Sequence, residues 1–379
     1  QEYSHELWWQ FSVFDGAPRF LRASVGVVVA ALFFAMRRLL RPAPYRPEPS
    51  DPVALESVRS IVAASPRAAA HLALLGDKSF LFSEDRRGFI MYTVSGRSCI
   101  AMGDPIGPAE CRTELVWAFR ELCDRTDTWP VFYEAGAELL PLYLDVGLVP
   151  LKFGEEARVP LPGFSLDTRG RKEQRYILRR IERDGGSFEV LPPGSAATLH
   201  DELKAISDAW LREKQTREKG FSLGRFDAAY LAQLPIAVVR QHGVVVAFSS
   251  LWCSGEHEEL GPDLMRYGAG APSGVMEYLF LQLILWGQRE GYRWLNIGMA
   301  PLSGLESRPL APLWHRLGAF AYRRGEQLYN FRGVRFFKEK FDPEWRPRYL
   351  VYPGGIVLPR VLANVAAAVS GGLKGVVAK

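Results

Sequence analysis

Three stretches in the last third of the chain hold residue types that can do chemistry. DLMR, Asp263 to Arg266, sets an acid and a base three residues apart at a strand end in an apolar neighbourhood. NIGMAPLSG, Asn296 to Gly304, is a strand end that breaks into a Gly/Pro loop, with Asn296 and Met299 at the break. FRGVRFFKEKFDPEW, Phe331 to Trp345, interleaves Arg332, Arg335, Lys338 and Lys340 with aromatic rings. Clustered cations among aromatics suit a phosphate-bearing ligand with an apolar or stacking part. Singly, the three read as a surface ion pair, a loop and a solvated charge run; together they describe a site.

A fourth stretch, RGRKEQRYILRRIERDGG, concentrates charge instead. Seven of the fifteen residues from Arg169 to Arg183 are basic. On a helix, Arg171, Arg175, Arg179 and Arg183 fall at i, i+4, i+8 and i+12, one stripe of like charges that repel unless an anion lies along them. Lys172 and Arg180 extend it. The whole chain, by contrast, is only mildly basic, with a net charge of +5.

Other classes of chemistry are disfavoured. Cys99, Cys111, Cys123 and Cys253 show no CxxC spacing and read as free thiols of a reducing compartment. Six scattered histidines form no ligand pair, so no metal is expected.

The elements that must position these residues come in a repeated order. Residues 43–52 form a Pro-rich linker that separates residues 1–42 from everything globular. Within 1–42, the uncharged run Ala23 to Met36, followed by Arg37, Arg38 and Arg41, predicts a membrane helix with a cytoplasmic basic flank. Beginning at Gln1, the chain is expected to be part of a longer protein. Beyond the linker, three strands with turns at Glu84–Gly88 and Ser95–Gly96 lead to the turn GDPIGP (Gly103 to Pro108). Next come a helix over 110–125, a strand over 129–134, a helix over 137–146 and a strand over 148–160. After the basic helix the order returns. It runs through a strand at SFEVL, helices over 196–215 and 225–233, a hairpin turning at His242–Gly243 and a strand at 263–267. Then follow the turn RYGAGAPSG, a helix over 274–290, a strand over 292–297, a helix near 313–317, and strands near Ala319 and at 348–352. Such a repeat points to a duplicated α+β unit.

That unit resembles the GNAT acyltransferase fold, in which a meander ends at a Gly-rich turn leading into a helix. Ordinary members hold the coenzyme A pyrophosphate at that turn. Here Arg266 to Gly270 reads RxGxG, and Pro272 removes a donor, which argues against acetyl-coenzyme A. The chain more specifically resembles the cytoplasmic domain of the bacterial phosphatidylglycerol aminoacyltransferases, the multiple-peptide-resistance enzymes. The carrying residues are LLGDKSFLFS (Leu74 to Ser83), MGDPIGP (Met102 to Pro108), DLMR, GVMEYL (Gly274 to Leu279), NIGMAPLS and the block Lys338 to Phe341 with Trp345. Glu277 and Ile297 are conservative departures from the commoner Asp and Leu.

The resemblance implies an α+β fold of tandem GNAT-like domains, 53–165 and 185–352. A basic helix over 166–184 joins them, and a tail over 353–379 follows. It implies transfer of an amino acid from aminoacyl-tRNA to phosphatidylglycerol at the cytoplasmic face of the inner membrane, with no cofactor. Lipid charge falls, and cationic antimicrobial peptides are resisted. Asp263 would orient or deprotonate the attacking hydroxyl or hold the substrate amine; Arg266 and Lys338 would take phosphate or oxyanion. Arg335, Lys340, Asn296, Met299, Gly103 and Asp104 would bind substrate, and Arg171, Lys172, Arg175, Arg179, Arg180 and Arg183 would bind tRNA. Direct ester exchange is expected, because no Ser-His-Asp or Cys-His arrangement is visible. Alanine is the favoured amino acid; lysine, which would need a buried acid for its ammonium, is the alternative. A coenzyme A-dependent acyltransferase and a non-catalytic, membrane-tethered nucleic-acid-binding module are the competing classes.

Overall fold

The computed structural model describes residues 19–39, 45–47, 52–305 and 331–371, which fall in two compact units, 1–45 and 46–379. In the first unit, α1 (Arg19–Leu39) exposes Val27, Val28, Val29, Leu32, Phe33, Phe34 and Met36. Among the described residues no helix is long and apolar enough to cross a membrane, which corrects the expectation of a membrane helix. Length is the physical reason. The uncharged run Ala23 to Met36 rises only about 21 Å, against a hydrocarbon layer of about 30 Å.

The second unit opens with α2 (Pro52–Ala64) and a 3-10 segment, Ala68–Leu75. Strands β1 (Ser79–Phe82), β2 (Phe89–Ser95) and β3 (Ser98–Met102) form the expected meander. Then come α3 (Cys111–Arg125), β4 (Trp129–Ala135), α4 (Leu140–Asp145) and β5 (Val149–Pro160). The basic segment makes a 3-10 turn at Arg169–Arg171 and then α5 (Lys172–Arg183). It is followed by β6 (Gly186–Leu191), α6 (Ser195–Thr198), α7 (His200–Glu213) and α8 (Ala228–Leu231). The hairpin is β7 (Ile236–Gln241) with β8 (Val244–Cys253), and β9 (Glu259–Tyr267) pairs with it. The chain continues through α9 (Val275–Arg289), β10 (Trp294–Pro301), α10 (Phe331–Glu339), β11 (Glu344–Tyr352) and α11 (Leu358–Val369).

The eleven strands of the described residues form one sheet, ordered β1-β2-β3-β4-β11-β5-β10-β9-β8-β7-β6. The sequence boundary at residues 165/166 therefore marks no break in the sheet. β11 lies antiparallel between β4 and β5, and β5 lies antiparallel beside β10. Near-continuous apolar runs such as Ile236 to Val239 and Phe89 to Tyr92 are buried because helices cover both faces.

Several elements differ from expectation. The helix foreseen over 137–146 contracts to α4, with Pro141 in its first turn. That over 196–215 divides into α6 and α7. The tail includes α11, whose Val361 and Val365 are buried against the core around Phe89, Ile100 and Val131. The helix near 313–317 and the strand near Ala319 lie outside the described residues.

The basic helix is amphipathic. Ile177, Leu178 and Ile181 of α5 are buried in one core with Val275, Tyr278 and Leu281 of α9. Each such side chain contributes about 1.5–3 kcal/mol, far more than the charge repulsion along the opposite face costs. Its place is thus set by its apolar side.

Candidate active site

The two strands that flank the site separate as they run. β9 and β10 are parallel, but they pair only at Glu259–Leu260 with Trp294–Leu295. Beyond those residues each carries an irregularity. Opposite β8, the register slips between Pro262 and Met265, so that Asp263 and Leu264 together face Ser250. Opposite β5, the register slips between Asn296 and Met299. Such bulges re-aim side chains and release backbone groups from the ladder.

Asp263 sits in the first bulge. Its carboxylate accepts from the Gly224 N–H at 2.8 Å, the Tyr230 hydroxyl at 2.9 Å and the Ser250 hydroxyl at 3.4 Å. Ser250 also accepts the Leu264 N–H, and the Trp252 indole donates to the Tyr230 oxygen at 2.7 Å. Burial pushes the Asp263 carboxyl up to about 6, although these donors and Arg266 favour its ionised form. Three residues on, Arg266 pairs with Glu218 at 3.2 Å and lies 4.2 Å from the Trp210 ring centre. A strap over 215–227 therefore fastens both site residues, through Glu218 and through Gly224. A Cβ at position 224 would fall 1.9 Å from Asp263 Oδ2, so only glycine lets the strap come this close.

Below the strap lies a buried pair that the sequence reading quoted within LLGDKSFLFS without giving it a role. Lys78, its side chain fully buried, donates to Asp77 at 2.5 Å and to the Leu72 carbonyl at 3.0 Å. Asp77 in turn accepts the Phe221 N–H of the strap at 2.8 Å. Burial lowers the Lys78 ammonium, while Asp77 and Asp263 support its charge.

Lys338 belongs to the second bulge. Its ammonium donates to the Gly298 and Met299 carbonyls, both at 2.8 Å, and burial pushes it down to about 8 against the charges of Glu134 and Glu156. Asn296 accepts the Gly298 N–H and donates to Glu259. Asp263 with Arg266, and Lys338 with Asn296 and Met299, thus occupy the two bulges on either side of the splay.

The remaining expected site residues have other partners. Arg335 bridges Glu155 and Glu339 and stacks 4.2 Å from the Trp345 ring centre; Lys340 pairs with Glu277 at 2.6 Å. Asp104 accepts from Gly136, Tyr143 and Arg67, a closed set that anchors the turn after β3, where Gly103 has φ +69°. In the basic segment, Arg171 pairs with Asp342, Arg175 donates to the Leu166 and Thr168 carbonyls, and Arg180 to the Ser273 carbonyl. Arg183 pairs with Asp184, while exposed Lys172 and Arg179 have no ion pair among the described residues. The continuous stripe expected at i, i+4, i+8 and i+12 is therefore interrupted. Arg171 lies before the helix, and three of the stripe's four members, Arg171, Arg175 and Arg183, have partners within the protein.

Sequence reasoning missed a further group. Glu134, Glu156, Glu259 and Arg348 converge from β4, β5, β9 and β11 on a hollow of about 50 Å³, also lined by Asp104 and Asn296. They come from four separate strands, so no local motif announces them.

The family model for the C-terminal region of phosphatidylglycerol lysyltransferases matches residues 59–352. The phosphatidylglycerol lysyltransferase of Bacillus subtilis is 35% identical over 331 residues, 86% of this chain. The chain spans 38% of that relative's length. Among solved structures, a C-terminal domain assigned to a lysylphosphatidylglycerol synthetase from Agrobacterium fabrum superimposes with a TM-score of 0.78 at 39% identity, covering 86% of this chain and 99% of that one. The L-PGS structure from Bacillus licheniformis gives 0.74 at 36% identity, with the same coverage of 86% and 99%. The chain belongs to the family of phosphatidylglycerol lysyltransferase C-terminal domains.

Proposed function

We propose that this chain is the transferase portion of an enzyme that moves an amino acid from aminoacyl-tRNA to the glycerol hydroxyl of phosphatidylglycerol. The observation that carries the reading is Asp263, a buried carboxylate held by three donors in a β-bulge, with Arg266 three residues away where two strands part. The relatives compared above are named lysyltransferases, so lysine is the amino acid proposed, and the preference for alanine has no support.

In this reading the glycerol oxygen attacks the ester carbonyl carbon while its proton passes to Asp263. The tetrahedral intermediate collapses, the bond to the ribose oxygen breaks, and that oxygen takes the proton. Asp263 has acceptor capacity left for the incoming hydroxyl, and a carboxyl near 6 matches a base that gains and returns a proton close to neutrality. Arg266 offers guanidinium donors to the lipid phosphate or the oxyanion. The ester is already activated, so positioning and charge stabilisation supply most of the acceleration.

The two halves are read as GNAT-like units that share a site. The exposed cations of α5 face the tRNA backbone, and the lipid is presented from a membrane at whose cytoplasmic side the chain works. Incubating the chain with lysyl-tRNA, alanyl-tRNA or acetyl-coenzyme A and phosphatidylglycerol, followed by mass analysis of the lipids, tests the proposal. Lysyl-phosphatidylglycerol is the expected product. An acetylated product, or no lipid product from either tRNA, sinks the reading.

A further inference from the structure

The strap over 215–227 contains neither helix nor strand, so its course is set by partners outside it. Gly220 donates to the Val369 carbonyl at the end of α11 at 3.2 Å, Phe221 to Asp77 at 2.8 Å and Gly224 to Asp263 at 2.8 Å. Two carboxylates, one just before β1 and one in β9, thus grip the strap three residues apart. A Cβ at position 220 would lie 3.1 Å from Asp77 Oδ2, a tight approach that glycine relieves. Phe221 is held at φ +61°, which an L-residue keeps only where its surroundings over-determine it. Its buried ring lies 6.3 Å from that of Tyr133 on β4 and 5.8 Å from the Lys78 ammonium.

Lys78 orients Asp77. A buried pair of this kind adds little net stability over apolar side chains of similar volume, since desolvation offsets the attraction. What it supplies here is direction. One Asp77 oxygen, Oδ1, takes the ammonium, and the other, Oδ2, is left to face the Phe221 N–H. Neither residue lines the hollow between β4, β5, β9 and β11. The ammonium is turned to Asp77 and the Leu72 carbonyl, so the pair acts through the strap.

We propose that Asp77, oriented by Lys78, is a positioning residue for the transfer reaction: it pins the strap at Phe221 and thereby aims the Gly224 N–H at the Asp263 carboxylate. The proposal rests on the aminoacyl-transfer reading and names a residue that serves its base. Released at Phe221, the strap withdraws a donor that favours the ionised form of Asp263. The other groups around that carboxylate are the Tyr230 and Ser250 hydroxyls and Arg266, with Lys78 within electrostatic reach. Loss of the Gly224 donor therefore moves the Asp263 carboxyl further up from about 6. Asp263 then holds its proton over more of the neutral range.

Two double variants isolate the anchor. Asp77→Asn with Lys78→Met and Asp77→Leu with Lys78→Met both remove the buried charges, but only the first keeps an oxygen for the Phe221 N–H. Both are assayed with lysyl-tRNA and phosphatidylglycerol below their melting temperatures. The Leu double is expected to show a kcat at least about tenfold below that of the Asn double, with KM within about twofold. Its rising limb of kcat/KM should move to higher pH. The Asn double should rescue kcat to within about threefold of the wild type. Hydrogen exchange of the Phe221–Gly224 amides, read on the chain alone, should be at least about tenfold faster in the Leu double. Should the Leu double fail to fold, Asp77→Ala in the same background makes the same comparison. Equal kcat or equal exchange in the two doubles overturns the proposal, as does a loss confined to KM. A wild type that yields no lipid product would instead fail the transfer reading, and exchange would still decide whether Asp77 holds the strap.

Discussion

Both halves of the sheet contain a parallel strand pair, and the two pairs differ. β3 and β4 stay hydrogen bonded from Ser98–Trp129 to Met102–Tyr133, whereas β9 and β10 part after Leu260 and Leu295. At the closed pair, Asp104 is fully engaged by Gly136, Tyr143 and Arg67. At the open pair the backbone is bulged on both sides, and ionisable side chains are held in shifted states. Two parallel pairs of one sheet thus end differently. A continuous ladder fixes the closed pair, while an interrupted one leaves carbonyls and carboxylates for chemistry. The closed half reaches the strap through Asp77, which accepts the Phe221 N–H and pairs with Lys78.

The contrast is broken most severely at Asp263 and Arg266. Asp263→Asn and Arg266→Ala are each expected to lower lipid aminoacylation by roughly a hundredfold or more, with the melting temperature little changed or, for Asn, raised. Asp104→Asn, at the closed pair, should instead act mainly on stability. Equal catalytic losses at both places would show that the open pair is not the special one.

Gly224→Ala comes next. Its Cβ has to displace the strap or the Asp263 carboxylate, and a loss of roughly tenfold or more in kcat is expected with a smaller effect on KM. A near-normal kcat would mean that the strap does not position Asp263.

The pH dependence of kcat/KM sharpens the comparison further. Ionisation of Asp263 gives a rising limb near 6, and loss of the Lys338 proton a falling limb near 8. Stability runs the opposite way for Asp263, whose folded pKa is raised. Its contribution is present below the unfolded value near 4 and is lost, by about 1.4 kcal/mol per pH unit, as pH rises toward 6. The Asn variant should therefore lack the rising limb and gain relative stability above pH 6.

The smallest effect concerns α5. Lys172 and Arg179 are the α5 cations with neither an ion pair nor a carbonyl partner among the described residues, so replacing both by Gln should reduce the log–log salt slope of tRNA affinity by roughly one to two. Arg171→Gln, which breaks the pair with Asp342 and the stacking on Phe164, should cost stability more than affinity. If anionic vesicles rather than tRNA lose affinity in the double variant, the helix faces lipid.

The meander, the turns and the DLMR stretch were legible because each is written in a local pattern: alternation, Gly/Pro punctuation, and an acid and base on one strand. The bulges were not, since a register slip depends on the neighbouring strand; Pro262 beside Asp263 and Gly298 beyond Asn296 were the only hints. Glu134, Glu156 and Glu259 are separated by intervening helices in sequence and meet only in the folded sheet. Glu218 and Gly224 look like ordinary loop residues. α11, by contrast, was readable in principle, because Leu358, Val361, Leu362 and Val365 have helical spacing.

The position of β11 also bears on how the chain is made. Its residues, Glu344–Tyr352, complete the neighbourhood of β4 and β5, which leave the ribosome long before them. At about 5–20 residues per second, β5 waits roughly ten to forty seconds for its neighbour. During that interval β4 and β5 offer unpaired edges on which a second nascent chain is able to template. A chain that stops before Glu344 would keep those edges open, and the damage would reach the early half of the molecule as well as the late one.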